Sequence, residues 1–223
     1  MKAGAVPLAL TLLGASAALW AFAAKPPLAQ PPSIPLRAAA NPTVSAELPA
    51  VGRRDRIFLT KAQLKQAMTS RTVDRPIKSL LAVKAPLHFG DFSWNDTAVP
   101  QGPTWIRIDL QTQLISVFRS GHEIGSAVIV YGGDNMETPV GTQHILAKAR
   151  DHRSSLYDAE MPYTLRLTDD GVSIHGSNVR WGAATHGCVG VPLEFARRLF
   201  DTTKVGDEVV IIPPIKAAPS RTS

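Results

Sequence analysis

The chain has 223 residues, enough for one ordinary domain with extra segments or for two small domains. Its 44% hydrophobic content suits a globular core, and its formal charge of +6 with a pI near 9.7 either favours anionic surroundings such as a cell wall or membrane surface or serves solubility alone. No dense Lys/Arg run and no basic–aromatic interleaving occurs, which argues against a nucleic-acid partner, and the single cysteine, Cys188, excludes an intrachain disulfide.

Residues 1–24 read as a targeting segment. Lys2 is a minimal positive n-region, Val6 to Ala23 is almost wholly apolar, and Ala21-Phe22-Ala23 resembles a small-residue cleavage site. The alternative is an uncleaved anchor, because the apolar run approaches the length that spans a bilayer. Either way the bulk of the chain is expected outside the cytoplasm. Residues 25–55 are rich in Pro and Ala (Pro26, Pro27, Pro31, Pro32, Pro35, Pro42, Pro49) and read as a semi-rigid linker that cannot hold a helix.

Residues 56–101 read as a small extension that packs on the main domain. Thr60 and Gln63 have capping-box spacing and Leu59 and Leu64 are placed as a hydrophobic staple, so a helix begins at Thr60 with Leu64, Ala67 and Met68 on one face. Pro76 stops it from running on. From Ile77 to Pro100 the pattern is weak.

Residues 102–213 read as a mainly-β domain. Trp105 to Leu110 alternates, with Ile106, Ile108 and Leu110 facing one way, as in a half-buried strand. Leu114 to Phe118 and Glu123 to Tyr131 are strands around a Ser120-Gly121 hairpin turn. Gly132-Gly133-Asp134-Asn135 breaks the run. Thr142 to Lys148, Tyr163 to Leu167 and Val172 to His175 are further strands, the last following an Asp170-Gly171 turn. Pro192 to Phe200 reads as a helix with Pro192 in its first turn and Leu193, Ala196, Leu199 and Phe200 on the buried side. Glu208 to Ile212 is the last strand, stopped by Pro213-Pro214, and 214–223 reads as a disordered tail.

The chemistry concentrates in Ser173-Ile174-His175-Gly176-Ser177-Asn178 and Ala184-Thr185-His186-Gly187-Cys188-Val189-Gly190. A thiol becomes a strong nucleophile when a nearby imidazole takes its proton. A glycine beside it lets backbone N–H groups approach the oxyanion of a tetrahedral intermediate. A lone cysteine can also be an inert core thiol, and His175, His186 and Cys188 could form a zinc set, although no second Cys or carboxylate at ligand spacing supports one. Among the remaining histidines, His88, His122 and His144 read as surface or packing residues, and His152 stands near a possible flap. Trp94, Trp105 and Trp181 are either core residues or glycan platforms, with core favoured for Trp105; Trp181 lies in the motif loop.

Thr185-His186-Gly187-Cys188 with His175-Gly176 upstream resembles the signature of the L,D-transpeptidase (YkuD-type) family. Ile108-Asp109-Leu110 with Leu114-Ile115-Ser116-Val117-Phe118 is similar to its opening hairpin, Glu137-Thr138-Pro139-Val140-Gly141-Thr142 to its TPxG segment, Tyr157 to Leu167 to its flap, and Gly206-Asp207-Glu208-Val209-Val210-Ile211 to its closing strand. The resemblance implies an L,D-transpeptidase-like β-sandwich with one or two short helices and no cofactor or metal. It implies that Cys188 attacks the carbonyl joining the third and fourth residues of a peptidoglycan tetrapeptide stem, releasing D-Ala, and that an acceptor amine resolves the thioester into a cross-link. His175 would be general base and then acid, oriented by the Gly176 carbonyl. His186 would support the nucleophile turn, and N–H groups at Gly187 and Cys188 would form the oxyanion hole. Tyr157, Tyr163, Trp181 and Thr185 would line the substrate site. The expected partners are peptidoglycan stem peptides and, through an uncleaved N-terminus, a membrane; the expected state is a monomer in the periplasm or cell envelope. Two departures stand out: Gly190 occupies a position where many members carry Arg or Asn to fix substrate, and the loop from His175 to Thr185 is short. The rival readings are an L,D-carboxypeptidase using water as acceptor, a cysteine hydrolase of another peptide, and a non-catalytic wall-binding module.

Overall fold

The computed structural model describes residues 48, 50–70, 72–133, 136–154 and 157–214, all within one compact unit. The expected targeting segment, most of the Pro/Ala-rich linker, Asp134-Asn135 and the tail after Pro214 lie outside the described residues. Among the described residues no helix is long and apolar enough to cross a membrane. In chain order the elements are α1 (Ala50–Arg53), β1 (Arg56–Ile57), α2 (Lys61–Thr69), β2 (Leu80–Leu81), β3 (Phe92–Trp94), β4 (Thr104–Asp109), β5 (Leu114–Arg119), β6 (His122–Val128), β7 (Gly141–His144), β8 (Ala147–Ala149), β9 (Thr164–Arg166), β10 (Ser173–Gly176), β11 (Val189–Val191), α3 (Leu193–Thr202) and β12 (Glu208–Ile212).

The fold is mainly β. Six strands form one sheet in the order β3-β6-β5-β4-β12-β7, four form a second in the order β11-β10-β9-β8, and β1 pairs with β2. The β5–β6 hairpin turns at Ser120 (φ 50°) and Gly121 (φ 85°), two positive-φ residues that match the twist of the flanking strands. Alternation then decides what is buried. Ile106, Ile108, Ile115 and Val117 from the larger sheet meet Leu165, Ile174, Val189 and Val191 from the smaller one, with Phe195, Ala196 and Leu199 of α3, in one core.

The half-buried reading of β4 needs correction. Trp105 is buried too, stacked on its cross-strand partner Phe118 at 4.3 Å between ring centroids. Val73, Ile77, Leu59, Leu64, Ala67 and Leu80 of the extension cover that pair, so β4 has apolar cover on both faces. The Thr60–Gln63 capping box forms with both hydrogen bonds, but α2 ends at Thr69, well before Pro76, and Met68 is exposed. Ala50–Arg53, expected to be linker, form a one-turn helix, with Arg53 Nε donating to the Leu48 carbonyl at 2.9 Å. The weakly patterned stretch after Ile77 supplies β3, an edge strand of the six-stranded sheet.

The strand expected over Thr142 to Lys148 is two strands. The Ile145 N–H goes to Asp207 O (3.0 Å) and the Leu146 N–H to Arg166 O (2.7 Å), so the chain changes sheets at that corner. In α3, Pro192 sits just before the first turn, Phe195 replaces Leu193 on the buried face, and Leu193 is 55% exposed.

Candidate active site

The smaller sheet presents one face to the core and the other to the motif residues. β10 and β11 run parallel, with Ile174 beside Val189 and His175 beside Gly190. Because Ile174, Val189 and Val191 point into the core, His175 at the intervening position and Cys188, which leads into β11, share the opposite face. Two segments distant in sequence thus bring an imidazole and a thiol to neighbouring strands.

His175 is buried, and its Nδ1 lies 3.0 Å from the Gly176 carbonyl oxygen. A carbonyl only accepts, so Nδ1 carries the proton of a neutral ring and Nε2 is the bare nitrogen. Burial pushes the His175 pKa below the ordinary 6.5; the Gly176 hydrogen bond opposes this and nearby His152 adds to it. The half-buried Cys188 thiol is pushed above the ordinary 9.0, mainly by burial; the Ser173 backbone opposes the shift and the Asp170 charge adds to it. Burial thus disfavours the charged form of each group, thiolate and imidazolium alike.

The turn before β11 is held from three sides. The Thr185 hydroxyl donates to the Cys188 carbonyl across the turn. The Thr185 N–H donates to Tyr131 O at 3.0 Å, and the Gly133 N–H to Thr185 O at 3.3 Å. Gly187 has φ 101°, a conformation that side-chain-bearing residues rarely adopt; a Cβ there would meet nothing closer than 3.6 Å, so backbone conformation rather than space calls for glycine. Behind the turn, the buried Thr138 hydroxyl accepts the Gly132 N–H at 3.0 Å. Gly132 comes so close to Gly187 that an added Cβ would lie 2.9 Å from the Gly187 Cα. In the sequence, the TPxG resemblance is what marks Thr138.

The other expected residues separate. His186 is exposed, and its ring stacks on Tyr157 at 4.1 Å with 9° between planes, so the segment expected to form the flap touches the turn before β11. The Tyr157 hydroxyl lies 3.0 Å from Met136 Sδ. Tyr163 packs instead on Phe200 of α3 (5.8 Å) and under Arg150 (5.4 Å), as part of the core edge. Trp181 is 53% exposed and meets Phe89 edge-on at 5.4 Å, Phe89 being supplied by the extension. The Thr185 hydroxyl is engaged by the turn itself. Among the described residues no group of three or more His, Cys, Asp or Glu is arranged to hold a metal ion.

Residues 103–211 match the family model of the YkuD L,D-transpeptidase catalytic domain. Solved structures with a similar fold include an L,D-transpeptidase from Stackebrandtia nassauensis, 22% identical with a TM-score of 0.47, over 53% of this chain and 60% of that one. L,D-transpeptidase 1 of Mycobacterium tuberculosis is 24% identical with a TM-score of 0.43, over 50% and 62%. An L,D-transpeptidase from Mycobacterium smegmatis is 18% identical with a TM-score of 0.47, over 55% and 77%. The chain therefore spans about three fifths of the first two structures, 60% and 62% of their lengths. No curated protein matches the sequence.

Proposed function

We propose that this chain is an exported peptidoglycan L,D-transpeptidase with Cys188 as nucleophile and His175 as general base. The observation that carries the reading is the His175 ring: its Nδ1 is tied to the Gly176 carbonyl, which leaves Nε2 basic on the sheet face that carries Cys188. The Sγ–H proton passes to Nε2 as sulfur bonds the carbonyl carbon of the donor stem's third residue. The C–N bond to the terminal D-Ala breaks, and His175 returns the proton to that amine. The thioester is then attacked by an acceptor amine, whose proton passes to His175, and the thiol is regenerated as the cross-link forms. N–H groups at Gly187 and Cys188 hold the oxyanion. Tyr157 on His186 closes the flap side of the donor site.

The test is intact-mass spectrometry of wild type and Cys188→Ala after incubation with a carbapenem and, separately, with a tetrapeptide stem while released D-Ala is followed. A covalent adduct on wild type alone, with D-Ala released and an acceptor incorporated, is the expected result. D-Ala release with water as the only acceptor makes the enzyme an L,D-carboxypeptidase. No adduct and no D-Ala, from a thiol that still alkylates, rejects wall stems as substrates.

A further inference from the structure

Cys188 and Gly190 are two residues apart, as are His175 and Ser177. His175 pairs with Gly190, and the Ser177 N–H continues the ladder by donating to Val191 O at 2.8 Å. Alternation therefore puts His175, Ser177, Cys188 and Gly190 on one face, opposite the core-facing Ile174, Val189 and Val191. Gly190 alone among the four contributes no side chain, and the reason is space. Its backbone exchanges hydrogen bonds of 3.0 and 2.8 Å with Val130. A Cβ at this position would stand 2.7 Å from Val130 Cγ2, 2.8 Å from Ser177 Cβ and 3.1 Å from Ser177 Oγ. The direction a side chain at 190 would take is already filled, and the polar atom filling it is the Ser177 hydroxyl.

Nearby hydroxyls are committed to the fold: Thr185 to the Cys188 carbonyl, Thr138 to the Gly132 N–H and Ser173 to the Gly171 carbonyl. Ser177 is half-buried, and among the described residues its hydroxyl makes no hydrogen bond. One O–H donor and two lone pairs are thus available on the face that carries the thiol and the imidazole.

We propose that Ser177 is a substrate-binding residue whose hydroxyl donates to a backbone carbonyl of the donor stem peptide, in place of the side chain that Gly190 cannot carry. The proposal rests on the transpeptidase reading above. Because Ser177 holds the stem rather than the thiol or the base, its loss weakens donor binding and leaves the chemical step intact.

D-Ala release against donor tetrapeptide concentration, for wild type, Ser177→Ala and Ser177→Thr, tests it. Ser177→Ala raises KM about two- to tenfold, the effect of one neutral hydrogen bond, with kcat kept within about twofold. Ser177→Thr, which keeps the hydroxyl, regains most of the lost affinity. A Ser177→Ala chain with the wild-type KM, a fall in kcat at constant KM, or a Thr variant as defective as Ala overturns the assignment. Wild type that releases no D-Ala at any donor concentration overturns the transpeptidase reading itself, and that result is visible without any variant.

Discussion

Burial disfavours both the thiolate of Cys188 and the imidazolium of His175. On the proposed roles this sets two pH limits of opposite sense. The acid limb of kcat/KM falls below 6.5, because His175 stays unprotonated to lower pH than a solvated histidine. Alkylation of Cys188 by iodoacetamide in the absence of substrate has its midpoint above pH 9.0, because its thiolate is disfavoured. An alkylation midpoint well below 9.0 would reveal a preformed thiolate–imidazolium pair. Cys188→Ala should abolish D-Ala release with an unchanged circular dichroism spectrum. His175→Gln should lose about 10²- to 10⁴-fold in kcat, and near-normal turnover in that variant would remove His175 as base.

At the scale of elements, the site depends on how two glycine-containing segments lie against each other. Gly187→Ala forces a Cβ onto a backbone at φ 101°, which should cost about 1–2 kcal/mol of stability and shift the N–H proposed for the oxyanion hole. Thr138→Val removes the acceptor of the buried Gly132 N–H and should cost about 1–3 kcal/mol, with kcat falling more than KM rises. An unchanged kcat in Thr138→Val would separate the 132–138 segment from the turn it backs. Sequence periodicity read β4, β5 and β12 well, because one face of each alternates against a continuous core. It missed the second face of β4, since the cover for Trp105 comes from Val73 and Ile77 across an unpatterned stretch. It also read one strand through the corner at Ile145-Leu146, where β-propensity continues but the pairing partner changes. The candidate pair stood out in the sequence because His175 and Cys188 lie in short, compositionally unusual motifs. Ser177 and Thr138 fall in segments that the sequence also marks, but their contacts lie with neighbours that only the fold brings close.

For the whole molecule, the most telling feature is a buried polar junction between the extension and β6. Arg56 donates to Glu123 O at 2.6 Å, Asn95 O at 2.5 Å and Ser79 Oγ at 3.3 Å, while the Leu81 N–H donates to the Glu123 carboxylate at 2.8 Å. Glu123 is buried, and desolvation pushes its pKa above the ordinary 4.5, opposed by Ser116, the Leu81 N–H and the charges of Arg56 and Arg107. For a carboxyl raised in the folded state, the stability it contributes is present below 4.5 and is lost as pH rises through the folded value. Arg56→Met keeps most of the cover but removes the opposing charge and leaves the Glu123 and Asn95 carbonyls without that donor. The Glu123 value then moves higher still. Urea unfolding should show Arg56→Met less stable by about 1–3 kcal/mol near neutral pH, the cost of leaving a buried carbonyl without its donor. The gap should widen as pH rises above 4.5 and Glu123 ionises, because the Arg56 charge opposes the upward shift of the Glu123 carboxyl. A gap below about 1 kcal/mol, or one that narrows as pH rises, would mean that apolar cover from Val73 and Ile77, rather than this junction, holds the extension on the sheet.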